Sequence, residues 1–434
     1  MKNKFLEDLS NIVDYKKSSF LLAVSGGVDS MVLLNLFLVS NIKFSVAHCN
    51  FSLRGEDSDK DEKFVKSICN MLDINVFVKK FNTKKTAFDE KISIQMAARE
   101  LRYEWFNDLV NKNKIDNIVT AHHFNDNIET VLFNISRGTG ISGLKGIEKK
   151  QNRLIRPLLN FTKNQILDYA NKNKIEFRED LSNEDEKYKR NKIRKSIIPE
   201  FQNINPGFIE SMYNTIENFK SAENIYLKFI ENEKKRCTTY VDEVLKIDIG
   251  LLTKSIEPKT VLYEIIKEFG FIDIDSIFNV IDAESGKSFY SKKYFLVKNR
   301  NKLCISKLIK DRIIEISKEK NYIKDPIKMS LKLVGNFKLT EFKNKKVAVL
   351  NYDKLEFPLT LRNWKEGDWF IPSGMKGKKK LSDYFIDNKF SLIEKKRCFV
   401  LCSNNDIVWI VGHRIDERYK FVDSLEKAYI CQIK

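Results

Sequence analysis

Residues 19–39, SFLLAVSGGVDSMVLLNLFLV, constrain the fold of this chain more than any other stretch. A short apolar run from Ser19 to Val24 is broken by two adjacent glycines, and a second apolar stretch of helical length follows at once. A short apolar run bounded by a glycine turn reads as a buried strand. Ser25-Gly26-Gly27-Val28-Asp29-Ser30 therefore joins a strand to a helix. Glycines let consecutive N–H groups turn into one concavity, and the helix adds the positive end of its dipole. The loop reads as a pyrophosphate cradle, with Ser25 and Ser30 offering hydroxyl donors. It is not a Walker A loop, because the GxxxxGK[ST] lysine is missing. That suits chemistry in which pyrophosphate leaves and the α-phosphate is attacked. A carboxylate beside phosphates needs a cation between them, so Asp29 is expected to hold Mg²⁺. The plain alternative is a solvent-facing turn with a helix-capping Asp.

The same strand-then-helix alternation recurs. Ile42 to His48 is the next strand, followed by a helix over DKDEKFVKSICNMLD. Asp116 to Ala121 is another strand, followed by a helix through IETVLFNIS. This predicts an α/β domain with a parallel sheet and helices on both faces. A Thr162-x-x-Gln165 capping box opens a helix to about Asn173. From Pro206 the pattern becomes a long charged amphipathic helix, then a helical stretch from Pro258 to Val280 and a hairpin turning near Asn299 to Asn301. After Asp325 the chain is strand-rich. The expected division is a catalytic domain at 1–205, a mainly helical middle domain at 206–324 and a strand-rich α+β C-terminal domain at 325–434. A chain of 434 residues is expected to hold two or three domains.

Lys plus Arg number 77 against 59 Asp plus Glu, a formal charge of +18 that favours a polyanionic partner such as nucleic acid. Part of that excess can be compositional drift in a chain rich in Lys, Asn and Ile. No apolar run approaches the ~20 residues needed to cross a bilayer. The opening MKNKFLEDLSNIVDY has no signal-peptide core, so a cytoplasmic protein is expected. Seven scattered cysteines without a CxxC argue against a disulfide framework or a zinc ribbon.

Two further groups carry chemistry. His122 and Asp126, four apart at a helix start, are expected on one face near the C-terminal edge of the sheet. There Asp126 can share the metal with Asp29 or orient an amine, and His122 can donate to a phosphate oxygen or carry a proton; the plain alternative is a helix-capping arrangement. Arg190 and Arg194 share a helical face and can clamp phosphate charge, or else form a solvated basic face. Arg99 sits on a helix whose Met96, Leu101 and Trp105 are expected to pack inward. Its readings are RNA or active-site contact, or a structural ion pair.

SGGVDS after an apolar strand resembles the signature of the PP-loop pyrophosphatases. The remaining segments are similar, in order and spacing, to the tRNA(Ile)-lysidine synthetase family. They are His48-Cys49-Asn50-Phe51-Ser52-Leu53-Arg54; Ala97-Ala98-Arg99-Glu100-Leu101-Arg102-Tyr103; Ala121 to Thr130, AHHFNDNIET; Arg156-Pro157-Leu158-Leu159; Glu179 to Asn183; and Arg190-Asn191-Lys192-Ile193-Arg194. Phe51 and Asn125 depart from that pattern, standing where the family has a histidine and an aspartate. Arg362 to Pro372 resembles the opening of the family's C-terminal domain, and Trp409 to Arg414 its final strand.

The resemblance implies a ligase that uses ATP and Mg²⁺. It would adenylate the wobble cytidine of the CAU anticodon of tRNA(Ile) and join L-lysine to carbon 2. Asp29, His122, Asp126 and Arg194 would be catalytic. Ser25, Gly26, Gly27, Val28, Asp29 and Ser30 would bind ATP, and Asp29 with Asp126 the metal. Arg99, Arg190, Arg362, Lys376, Lys378, Lys379 and Lys380 would contact tRNA, the lysines on a glycine loop beside aromatic residues. The alternative within the superfamily is a tRNA thiolase, which needs a sulfur carrier; a non-catalytic RNA-binding protein is another. Whether the chain is a monomer or a homodimer stays open.

Overall fold

In a computed structural model that describes residues 1–178, 189–284, 286–308, 311–336, 344–422 and 426–434, the apolar runs become strands as expected. The first elements are α1 (Lys2–Ser10), β1 (Phe20–Ala23), α2 (Val28–Val39), β2 (Phe44–Asn50), α3 (Glu56–Met71), β3 (Val76–Lys80), α4 (Thr83–Asp89) and α5 (Ile94–Lys112). They continue with β4 (Asn117–Val119), α6 (Phe124–Ser136), α7 (Ile141–Leu144), β5 (Lys150–Gln151), β6 (Leu154–Ile155) and α8 (Lys163–Lys172). The sheet order is β3-β2-β1-β4-β6-β5, parallel except for the terminal β5.

Alternate strand residues serve opposite faces, as the two-residue period requires. Phe20, Leu22, Val46, Val119 and Ile155 pack with α1, α2, α3 and α8. Leu21, Ala47, Ile118 and Leu154 pack with Trp105, Phe106 and Val110 of α5. Burial on both faces is why these strands read as unbroken apolar runs. Met96, expected to face inward from α5, is half exposed instead. It lies in the first turn, ahead of the residues that meet the sheet.

The sheet extends from β1 to β2 on one side and to β4 on the other. The loops after β1 and β4 therefore flank the point where strand order reverses, the crevice in which open α/β sheets bind ligands. The Thr162 capping box forms as read and opens α8. A cluster of Phe124, Ile128 and Val131 from α6 with Ile193, Ile198, Phe208, Met212 and Ile216 docks the following helices onto this unit, Met1–Leu227. One of those helices, Ile193–Ile197, is a π-helix. The Glu179 to Asn183 segment lies outside the described residues.

The second unit is Lys228–Lys434. It holds a five-stranded antiparallel sheet that contains the expected hairpin, Tyr294–Asn299 against Lys302–Lys307. The helical stretch from Pro258 is broken: Pro258–Ile266 and Ile274–Asn279 are separate helices. Gly270 between them takes φ +76°, a left-handed turn suited to glycine. Two four-stranded sheets follow, and their facing sides share a core around Trp409, Leu361 and Tyr429. The strand that carries Trp409, Asp406–Ile410, is not the last: Lys427–Ile433 follows it in the other sheet.

Candidate active site

The glycine loop is braced from within. Gly26 has φ +98°, where a β-carbon would be strained. The amides of Ser25 and Gly26 both donate to Ser30 Oγ at 3.2 Å, and that hydroxyl donates to the Gly27 carbonyl at 2.9 Å. Ser30 is buried and committed to the loop's own shape, whereas Ser25 is exposed. Gly27 caps α2, and Val28 begins it, so Asp29 lies in its first turn.

Asp29 meets groups from two other segments. Its Oδ1 accepts from Lys163 Nζ at 2.6 Å and lies 3.7 Å from His123 Nε2. Asp126 Oδ2 is also 3.7 Å from His123 Nε2 and accepts the His123 amide at 2.9 Å. The two expected metal carboxylates thus converge on one histidine edge. His123, not His122, stands between them, because α6 starts at Phe124 and leaves His122 ahead of the helix. A single sequence does not say which of two adjacent histidines will cap a helix.

His122 Nδ1 is 2.8 Å from Thr120 Oγ1. Burial, with the positive charges of Arg156, Arg102 and Arg99, outweighs the attraction of Asp126 and lowers its pKa to about 4. It is a neutral donor or acceptor near pH 7, not a cation. Arg99 lies over the Tyr103 ring at 5.0 Å, and Arg102 over Phe51 at 5.2 Å. Phe51 stacks on Phe81, an apolar use of the position where the resemblance led to a histidine.

Arg194 sits in the π-helix, a local irregularity often found at functional sites. Its Nε and Nη2 grip Glu129 at 2.6 and 3.1 Å, and Nη2 reaches Asp126 at 3.4 Å. Glu129 is almost fully buried, which pushes its carboxyl up, while Arg194 opposes that shift. Burial also pushes Asp126 up, but His123, His122, the His123 amide and Arg194 together hold it below the usual carboxylate range. Arg190, four residues before Arg194, is exposed.

Three residues of this cluster escaped sequence reasoning: Lys163, His123 and Glu129. Glu129 was visible as the acidic residue one turn after Asp126. Nothing in FTKNQIL singles out Lys163.

The basic residues of the second unit divide. Arg362 forms a bidentate pair with Asp368, both bonds at 2.8 Å, and also donates to the Asn363 carbonyl, so its guanidinium is committed to its own domain. Lys378 lies 3.8 Å from the Trp369 ring centroid, with Arg418 at 4.9 Å from the same ring. Lys379 pairs with Asp387. Lys376, Lys378 and Lys380 are exposed. All seven thiols are shifted up by burial, Cys49 to about 12, so none presents a thiolate at neutral pH.

Among the described residues no three His, Cys, Asp or Glu side chains gather as a metal cage. Mg²⁺ needs none: one or two carboxylates plus substrate phosphates and water are its usual shell. Asp29 and Asp126 beside the glycine loop fit that donor set. Among the described residues, no helix is long and apolar enough to cross a membrane.

Family models match three segments: a PP-loop domain at 1–201, a TilS substrate binding domain at 240–308 and a TilS substrate C-terminal domain at 359–430. The chain is 42% identical over 415 residues to a tRNA(Ile)-lysidine synthase of Parabacteroides distasonis, covering 94% of each. It is 37% identical to one of Bacteroides thetaiotaomicron, covering 95% of each. A third, of Clostridium tetani, is 34% identical over 93% of this chain and 92% of its own.

Proposed function

The chain belongs to the tRNA(Ile)-lysidine synthase family, and on that premise we propose how its own residues use ATP to modify tRNA(Ile). It is an ATP-dependent ligase. In the reaction we assign, the 2-oxygen of the wobble cytidine of the CAU anticodon attacks the α-phosphorus of ATP. The bond to the β-phosphate breaks and pyrophosphate leaves. An amine of L-lysine then attacks carbon 2, the carbon–oxygen bond breaks, and AMP departs with that oxygen.

The start of α2 would present backbone amides and a helix dipole to the pyrophosphate, while the loop's Ser25 and Gly26 amides, held by Ser30 Oγ, fix the turn that leads into it. Asp29 and Asp126 would hold Mg²⁺, which when bound supplies positive charge against the phosphates. Arg194, aimed by Glu129, faces charge that develops during the transfer. Neutral His122 can donate to a phosphate oxygen. Exposed Lys376 and Lys380, with Arg99 and Arg190, are the cations we assign to tRNA. Arg362, Lys378 and Lys379 shape the surface around them. The working division remains 1–205, 206–324 and 325–434, and each matched family segment falls within one of these. We place the reaction in the cytoplasm, where its tRNA, ATP and lysine meet.

One observation carries this reading: Asp29, Asp126 and Arg194, from three separate segments, meet beside the glycine loop. Mass spectrometry of tRNA incubated with the protein, ATP and labelled lysine tests it. A lysine adduct on cytidine is expected; a thiolated base would select sulfur transfer instead.

A further inference from the structure

The glycine loop lacks the lysine with which Walker loops reach the outer phosphates, and we propose that Lys163 supplies it from α8, gripping the triphosphate once Asp29 turns to the metal. The inference rests on the nucleotide reading of the loop.

Lys163 Nζ lies 2.6 Å from Asp29 Oδ1, across 134 residues of sequence. Both side chains are about one-third exposed, 34% and 31%, so the pair faces the open side of the loop. Its backbone is fixed. The Lys163 amide donates to Asn125 Oδ1 at 2.9 Å, and the Phe124 amide donates to the Phe161 carbonyl at 2.8 Å. Thr162 and Gln165 close the capping box around it. Three segments thus hold one ammonium beside the phosphate loop.

Helix stability does not explain that ammonium. A cation at the first position of a helix opposes the dipole, and the ends of helices favour the reverse. The charge instead pairs with Asp29, whose Oδ1 accepts from it at 2.6 Å. A divalent cation arriving with a nucleoside triphosphate competes for the same carboxylate oxygen. The released ammonium, on a flexible four-carbon stem with three donors, would then be free to pair with phosphate. Asp29 exchanges one cation for another, and Lys163 exchanges a carboxylate for phosphate.

The exchange has a signature that loss of packing would not produce. In K163Q, Asp29 loses its internal cation. The nucleotide-free full-length protein should therefore bind Mn²⁺ several-fold more tightly, read by electron paramagnetic resonance. The same variant should bind α,β-methylene-ATP with Mg²⁺ about 10- to 100-fold more weakly by calorimetry, the loss of one charge-assisted hydrogen bond. K163R, which keeps the charge, should stay within a few-fold of wild type for the nucleotide. Unchanged nucleotide binding in K163Q, or a parallel weakening of both ligands, overturns the proposal alone. If K163Q does not fold, K163R decides, and a loss above 10-fold there overturns it. Wild-type protein that does not bind the analogue overturns the nucleotide reading together with the proposal.

Discussion

Asp29 is the residue on which the proposed chemistry turns, because it places a carboxylate in the loop we assign to the pyrophosphate. Asp29→Ala should abolish release of pyrophosphate while tRNA binding survives. A pyrophosphate assay beside filter retention of labelled tRNA reads both, and near wild-type release would remove the metal role. His122 gives a pH dependence of known sign. Its folded pKa is depressed to about 4, so between pH 6.5 and 4 the unfolded chain binds the proton and the folded chain does not. The stability tied to its neutral form is complete above pH 6.5. It falls as pH drops through that window, by up to about 1.4 kcal/mol per pH unit. His122→Gln should flatten that slope in urea titrations at pH 4–7. Identical slopes would place the neighbouring carboxylates in sole charge of the acid response.

At the scale of elements, α6 and the π-helix act together. Ile193 and Ile198 bury against Phe124 and Ile128, and that packing carries Arg194 to Glu129 and Asp126. Arg194→Ala and Glu129→Gln should each lower turnover by roughly 10²–10³-fold, with tRNA affinity changed far less. A variant that lost only tRNA retention would move its residue to the RNA surface. This pairing also marks where the sequence was legible. The strand–loop–helix unit and the Thr162 box could be read directly, because each rests on neighbours within a few positions. Lys163 could not, because its partner is 134 residues away and a surface lysine in a helix looks the same. Arg362 and Lys379 show the converse: their charge was legible, but not the carboxylates, Asp368 and Asp387, that occupy it.

For the whole molecule, the +18 charge does not translate residue by residue into unpaired cations, as Arg362 and Lys379 show. Lys378 lies over Trp369 and Lys379 pairs with Asp387, so K376A/K380A should match a variant with Lys376, Lys378, Lys379 and Lys380 all replaced by Ala in flattening the salt dependence of tRNA binding. Each lost phosphate contact lowers the slope of log K against log salt by about 0.7–0.9. Salt titrations of wild type and both variants compare them. Equal slopes in all three would leave the loop without a role in RNA binding. The thiols should be dispensable: a variant with all seven cysteines replaced, folded by circular dichroism, should keep ATP-dependent lysine transfer. Activity lost with one particular cysteine would reopen sulfur transfer.

The distance in sequence between Asp29 and Lys163 also has a meaning in time. Chains grow at ~5–20 residues per second, so the loop leaves the ribosome roughly 7–27 s before the helix that completes it. Through that interval the emerging chain carries a glycine turn but no finished pocket. On the proposed role of Lys163, a nascent fragment that ends before α8 is expected to be silent toward ATP, with competence arriving as one late event.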